Sequence, residues 1–295
     1  MNPRPVWFGL SVVPTAADFP QIVEQVLAAE RLGMDLVGIQ DHPYQRRFLD
    51  TFLLIADLLA RTGRLRFFPD IASLPMRGPT MLAKAAASLD VMSGGRFELG
   101  IGAGNFWDAV AGMGGPRRTT AEAVDALEEA IPIIRAALDV GAERRVVRAP
   151  GPHYPVPGYP PGPSPAHRVE IWVGAYRLRG LRLIGRMADG WIPSLGHMGP
   201  NAFREASARI DEAAVTAGRD PREIRRLYNI GGVMTDGPRG DGPLDGPVEH
   251  WIETLTEWAT KLGVDAFIYW PAEMADLERY GTKVVPAVKA ALGQR

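Results

Sequence analysis

Two short stretches of this chain place chemically versatile residues directly after apolar runs. Asp41-His42 follows the run at 35–40, and Gly100-Ile101-Gly102-Ala103-Gly104-Asn105 ends another. An imidazole exchanges protons near neutral pH, and a carboxylate beside it accepts hydrogen bonds from a ligand or caps the following turn. Spacing alone leaves both roles open for Asp41, and leaves His42 either in the chemistry or packed before Pro43. The glycine run permits close approach by a flat ligand and serves equally to turn the chain. It is not a dinucleotide fingerprint, because Asn105 stands where G-x-G-x-x-G needs its third glycine and no helix is expected for many residues beyond. A third stretch, Gly174-Ala175-Tyr176-Arg177-Leu178-Arg179-Gly180, leads into a helical pattern at 181–187. Free N–H groups at a helix start with guanidinium groups nearby suit a phosphate, although arginines at such positions are often only solvated. Arg46 and Arg47, beyond His42, read as surface residues.

Positioning these residues requires strand ends on a common face. Apolar, strand-like runs occur at 6–13, 35–40, 65–71, 96–101, 169–173, 190–193, 226–234 and 266–270, with helical patterns between most of them. The alternation predicts parallel strands joined by crossover helices, an α/β chain closing as a (β/α)8 barrel over residues 1–295 as one domain. The short run at 190–193 has to count as a strand for the number to reach eight. Residues 18–33 predict the first crossover helix, ending at Gly33. A helix is expected from Pro79 to Ser93-Gly94-Gly95. Thr119-Thr120-Ala121-Glu122 is a capping-box pattern opening a helix that Pro132 should kink. Residues 202–217 predict a further helix. Two insertions, after strands four and seven, are expected to be irregular: the proline-dense 149–168, and 236–247 with its repeated Gly-Pro, which composition also suggests is mobile.

The bulk numbers narrow the function. The 295 residues are 46% hydrophobic with a formal net charge of −1, which gives no electrostatic case for nucleic acid or an anionic membrane. A small-molecule partner is the default. Zero cysteines exclude disulfides, thiolate metal sites and cysteine nucleophiles. His153, His167, His197 and His250 are scattered without metal-ligand spacing, and neither a G-x-S-x-G elbow nor a P-loop is present. No apolar run reaches the ~18 residues of a membrane span, and the N-terminus lacks a signal-peptide pattern, so a cytoplasmic location is expected.

The motifs taken together resemble the luciferase-like flavin or deazaflavin oxidoreductases. The resemblance rests on Trp7-Phe8-Gly9-Leu10, Asp41-His42, Pro75-Met76-Arg77-Gly78-Pro79, Leu82-Ala83-Lys84, Leu89-Asp90, Ser93-Gly94-Gly95-Arg96 and the 100–104 glycine run. It continues through Ile171-Trp172-Val173-Gly174-Ala175, Ala188-Asp189-Gly190-Trp191, Ala217-Gly218-Arg219-Asp220-Pro221 and Val284-Val285-Pro286-Ala287-Val288. It implies a TIM barrel, usually homodimeric, that binds a reduced flavin-type cofactor at the C-terminal face. Asp-His after strand two resembles the members using coenzyme F420, a deazaflavin hydride carrier; members using FMN often have glutamate there. The resemblance makes His42 a proton donor or relay, and has Asp41 hydrogen-bond the cofactor or position the loop. It places a bulge with a non-proline cis peptide at Asp70-Ile71, behind the ring. It assigns the phosphate to Gly102, Ala103, Gly104 and Asn105 and to Gly174, Ala175, Tyr176 and Arg177. Relatives carry small or hydroxylated residues after the fifth-strand glycine, so Ala175, Tyr176 and Arg177 depart from the pattern and point to an arginine contact instead.

The implied activity is hydride transfer between coenzyme F420 and a small organic substrate. The alternatives are an FMN-dependent monooxygenase using O₂ and a separate flavin reductase, and a non-catalytic cofactor-binding barrel. Trp107, Tyr154, His197, Tyr228, Met234 and Trp270 are candidates for a pocket taking a flat or apolar substrate, and equally for barrel-mouth core.

Overall fold

The computed structural model describes residues 4–140 and 146–294. Its strands are β1 (Trp7–Val12), β2 (Leu36–Ile39), β3 (Arg66–Pro69), β4 (Ala72–Ser73), β5 (Leu99–Gly102), β6 (Val147–Ala149), β7 (Val156–Tyr159), β8 (Ile171–Gly174), β9 (Gly190–Trp191), β10 (Arg225–Ile230) and β11 (Ala266–Tyr269). The α-helices are α1 (Phe19–Arg31), α2 (Thr51–Arg61), α3 (Pro79–Ser93), α4 (Trp107–Gly112), α5 (Thr120–Leu138), α6 (Leu178–Met187), α7 (Pro200–Thr216), α8 (Val248–Glu257), α9 (Met274–Arg279) and α10 (Val285–Ala291). Nine strands form one sheet, in the order β3-β2-β1-β11-β10-β9-β8-β5-β4. All its pairings are parallel. A parallel bridge from Phe67 to Phe97 joins the two ends and closes the barrel.

β3 and β4 occupy one barrel position. The chain breaks at Asp70-Ile71, whose peptide is cis, and resumes as β4 beside β5. The eight positions therefore coincide with the eight expected strands, and the run at 190–193 contributes a two-residue strand, β9. Ser194 extends its edge through a bridge to Asn229. Period-two alternation sorts the side chains. Leu36, Phe68, Trp172, Ile192, Leu227, Ala266 and Ile268 fill the barrel with Trp7 and Ile71. The intervening residues, such as Phe8, Val37 and Phe267, pack outward under the helices.

Local signals act where expected. Thr119 and Glu122 form a complete capping box, and α3 ends at Gly94 with φ +68°. Pro132 does not end its helix, which continues to Leu138 with Ile131, Ile133 and Ile134 buried. Packing of that face outweighs the single lost backbone bond. One expectation about the insertions needs correction. Segment 149–168 is not wholly irregular, since β6 and β7 pair antiparallel across it. Segment 236–247 has no helix or strand, as expected, and side-chain bonds hold it to the barrel. Asp245 accepts the amides of Val233 (2.9 Å) and Gly242 (3.0 Å), Arg239 pairs with Glu253, and Leu244 is fully buried.

The N-terminal mouth of the barrel is closed by a charged network. Glu98 accepts from Arg66 Nη1 (2.9 Å), His167 Nε2 (3.0 Å) and the Glu170 amide (2.7 Å). His167 Nδ1 lies 2.7 Å from Asp90. Arg225 donates to Glu170 at 3.1 Å and its guanidinium lies over Trp7. Hydrogen bonds to Asp90 and then Glu98 raise the His167 imidazole to about 9, so both ring nitrogens donate at neutral pH. A histidine whose folded pKa is raised stabilises the fold fully below its unfolded value near 6.5, and that contribution is lost as pH rises through about 9. We expect His167→Gln to lose on the order of 2 kcal/mol at pH 6 and to flatten the fall in stability between pH 7 and 9.5. Denaturant melts across that range check this; parallel curves for the two proteins would contradict it.

Candidate active site

A cleft of about 530 Å3 opens at the C-terminal ends of the strands, and the two stretches that attracted notice in the sequence meet there. Asp41, His42 and Tyr44 line one wall, Asp70 and Ile71 a second, Gly102 to Phe106 a third, and Gly174, Tyr176, Ser194, His197, Asn229 and Trp270 the remainder. Tyr176, Trp270 and Phe106 are exposed at its rim, at 39%, 42% and 56%. Phe106 adopts φ +54°, an uncommon conformation for a bulky residue, and turns its ring edge-on to His42.

Asp41 is 2% exposed and looks back into the protein. Its Oδ2 accepts from the Ser73 amide at 2.9 Å and Arg77 Nε at 3.4 Å, which ties the end of β2 to β4 and the start of the next loop. Arg77 also pairs with Asp50, the N-cap of α2, and lies over the Phe52 ring. Of the two roles offered for Asp41, positioning has a direct structural basis. Its Oδ1 is buried and without a partner on the cleft side.

His42 is half-buried among Tyr44, Phe48 and Phe106. Burial lowers its imidazole below the ordinary value, and the Asp41 charge opposes that shift. The ring is therefore neutral at pH 7. Nδ1 lies 2.8 Å from the Tyr44 hydroxyl. Burial pushes the Tyr44 phenol up to about 12, so it keeps its proton. Tyr44 is a residue that the sequence reading missed, although it stands only two positions beyond His42.

The floor is set by the segment between β3 and β4. Ile71 packs where side chains at Gly102 and Gly174 would lie, and a Cβ on Gly102 would come within 2.6 Å of Ile71 Cδ1. These glycines thus make room for the Ile71 side chain of the bulge, and Gly104, at φ +101°, turns the chain against Pro75. Asp70 Oδ1 accepts from Asn229 Nδ2 at 3.2 Å, while Asp70 Oδ2 and Asn229 Oδ1 are buried without partners. Burial raises the Asp70 carboxyl to about 6. Asn229, missed in the sequence, could have been found as the polar residue at an inward position of β10.

The expected phosphate loop is only partly in the cleft. Gly102, Ala103, Gly104, Asn105, Gly174 and Tyr176 line it, whereas Ala175 and Arg177 do not. Ala175 uses its carbonyl to accept from Trp191 Nε1 at 2.8 Å, and Arg177 is exposed at the N-cap of α6. Arg179 pairs with Asp125 on α5. Among the described residues no lysine or arginine lines the cleft, so the arginine contact is withdrawn and backbone N–H groups are left to meet an anion. The helix after the glycine run also starts earlier than expected, with α4 beginning at Trp107. Of the substrate-pocket candidates, His197 and Trp270 reach the cleft. Tyr228 is core, between Phe203 and Trp258. Tyr154 is half-buried, bonded to Arg118 and the Leu74 carbonyl.

A closed (β/α)8 barrel with such a cleft at its C-terminal face has the form of an enzyme scaffold. The family model for luciferase-like monooxygenases matches residues 7–238, and the chain belongs to that family. An uncharacterized protein of Mycobacterium tuberculosis is 33% identical over 249 residues, 77% of this chain and 83% of that protein. A phthiodiolone/phenolphthiodiolone dimycocerosates ketoreductase of the same species is 32% identical over 204 residues, 68% of this chain but 50% of the ketoreductase. Two solved structures share the fold at low identity. The coenzyme F420-dependent tetrahydromethanopterin reductase of Methanopyrus kandleri superposes with a TM-score of 0.82 at 19% identity, covering 97% of this chain and 100% of the other. The oxygenating component of 3,6-diketocamphane monooxygenase from Pseudomonas putida, in complex with FMN, gives 0.74 at 21% identity, covering 96% and 98%.

The electrostatics of the His42 wall can be measured directly. The ¹H–¹³C titration of His42 is expected to have a midpoint below 6.5. Asp41→Asn should lower it further, because the lost carboxylate is what raises it. A midpoint above 6.5, or one that rises in Asp41→Asn, would contradict this reading.

Proposed function

We propose that this protein transfers a hydride between coenzyme F420 and a small organic substrate, with His42 and Tyr44 managing the proton. The observation that carries the proposal is the His42–Tyr44 pair on the cleft wall. Asp41 fixes this wall relative to the floor made by Ile71. The residues fit a flat ring system: glycines at 102 and 174 let the Ile71 side chain lie flat against the strands as a floor, and aromatic side chains surround the mouth. Ile71 and the 102–105 backbone would hold the ring and its chain, with Gly174 beside them and Tyr176 at the rim. The cofactor, when bound, supplies or accepts the hydride.

The protein's own part is to exclude water, align the substrate and move one proton. Nδ1 of His42 is engaged by Tyr44, which leaves Nε2 for the substrate. When the Tyr44 hydroxyl donates to Nδ1, the ring hydrogen is on Nε2; it passes to the oxygen of a carbonyl that receives a hydride as the Tyr44 proton moves to Nδ1, so the ring stays neutral and the Tyr44 oxygen takes back a proton from solvent. When Nδ1–H donates to the Tyr44 oxygen, Nε2 is a base and takes the proton of an alcohol that loses one. The lowered imidazole favours this neutral, two-tautomer state at pH 7. The ketoreductase among the relatives is consistent with carbonyl chemistry, and the Asp-His wall is the reason to prefer the deazaflavin to FMN.

The test is oxidation of reduced F420 against a panel of uncharged ketones, with wild-type protein and His42→Ala. We expect turnover to fall by about 10²–10⁴-fold in the variant, with cofactor affinity changed less than threefold. Turnover only with reduced FMN and O₂ would replace the proposal with the monooxygenase reading, and equal rates in the two proteins would remove His42 from the chemistry.

A further inference from the structure

A second hollow adjoins the cleft. It has a volume of about 610 Å3, and Ser194, His197, Asn229 and Trp270 belong to the walls of both spaces. Its far side is Leu195 and Ile230 on one flank and Pro243, Leu244 and Asp245 on the other. The last three come from the Gly-Pro insertion, so this segment is a built wall of the hollow. It is held by Asp245 bonds to the Val233 and Gly242 amides and by backbone bonds between Val233 and Gly246 and between Thr235 and Gly246.

Two features define what this space can hold. Its surface is mainly apolar, and its polar side chains are those at the boundary with the cleft together with Asp245 on the far wall. At that boundary, Asn229 Nδ2 donates to Ser194 Oγ (3.4 Å) and Asp70 (3.2 Å), and the Tyr176 hydroxyl accepts from the Ser194 amide. The second feature is charge. Among the described residues, Asp245 is the only carboxylate in the lining of the hollow, both its oxygens are taken by amides, and no lysine or arginine lines either space. An anionic ligand has no counter-charge here and meets a carboxylate instead.

From this we infer that the hollow is the specificity site of the enzyme, and that it takes the apolar body of an uncharged ketone or alcohol. The oxygen of that ligand lies at the Ser194–Asn229 boundary, facing the cleft. The inference rests on the proposed oxidoreductase function, but it concerns a different space and can be tested without cofactor. A phosphate or carboxylate inside this hollow would face the Asp245 carboxylate and apolar walls, whereas the body of an alkyl or aryl carbonyl compound fits. Lengthening an apolar chain inside such a space strengthens binding about threefold to fourfold per methylene until the space is full.

The experiment is calorimetric and Trp-fluorescence titration of cofactor-free protein with 2-pentanone, 2-heptanone and 2-nonanone, and with octanoate as the charged comparison. Affinity should climb about threefold to fourfold per methylene through the series, with octanoate at least tenfold weaker than 2-nonanone. Leu195→Asp places a charge in the wall at a half-exposed position, and Pro243→Asp does so at an exposed one. In whichever variants keep the wild-type circular dichroism, the chain-length dependence should fall below 1.5-fold per methylene. A flat series in the wild type, octanoate binding as well as the ketones, or an unchanged series in a folded variant would each overturn the inference. These ketone titrations are independent of whether F420 or FMN binds the cleft, so failure here leaves the cofactor reading standing, and failure there leaves this one.

Discussion

The Asp41 carboxylate is the constraint on which the rest of the site depends. One of its oxygens holds the Ser73 amide and Arg77, and through them it fixes the end of β2 to the strand that resumes after the Asp70-Ile71 break. His42 is the next residue on one side of that clamp, and Ile71 lies two residues before Ser73 on the other. The spacing between the proton-handling wall and the cleft floor is therefore set by the Ser73 and Arg77 bonds to Asp41, together with the Asp70 amide bond to the Ile39 carbonyl at 2.7 Å. Arg77 spreads the constraint further, through Asp50 to the start of α2 and across the Phe52 ring.

The two ends of the barrel are finished differently. At the N-terminal end Glu98, His167, Asp90, Glu170 and Arg225 bond to one another, and that face is closed. At the C-terminal end Asp41 Oδ1, Asp70 Oδ2 and Asn229 Oδ1 are buried acceptors without donors. Unsatisfied buried groups cost about 1–3 kcal/mol each, and folds carry them mainly where function requires it. Asp70 shows the consequence in its raised carboxyl. Arg225 Nη1 is likewise buried without a partner at the N-terminal end, so what separates the two ends is the open cleft with its buried acceptors, the expected form of a scaffold with its chemistry on one face.

Much of this was legible in the sequence, and the remainder was hidden for specific reasons. The eight strand positions follow from period-two runs alternating with helical ones, and even the two-residue β9 could be placed because the count required it. Asp41 and His42 stand out because two titratable residues directly after an apolar run can do chemistry, although spacing left a capping or packing role equally open. Tyr44 and Asn229 do not, since one is an aromatic in a loop and the other a polar residue within an apolar strand, and only the closed barrel brings them to the cleft. The glycines at 102 and 174 were visible, but the Ile71 side chain they accommodate comes from a different strand. The arginine at 177 misled because its direction is fixed by the start of α6 at Leu178, one residue later, and composition contains no such information. The contacts that hold the Gly-Pro insertion were hidden for a similar reason. They come from Asp245 folding back on its own loop and from burial of Leu244, which are tertiary facts.

The central claim is that the cleft is shaped for a deazaflavin, and a paired equilibrium titration tests it most directly. Purified protein is titrated with coenzyme F420 and, in parallel, with FMN, following quenching of tryptophan fluorescence; Trp270 stands at the cleft rim. The account predicts micromolar binding of F420 and binding of FMN at least tenfold weaker. Tighter binding of FMN would contradict it and make the O₂-dependent monooxygenase the better description, and binding of neither would return the protein to a cofactor-free role.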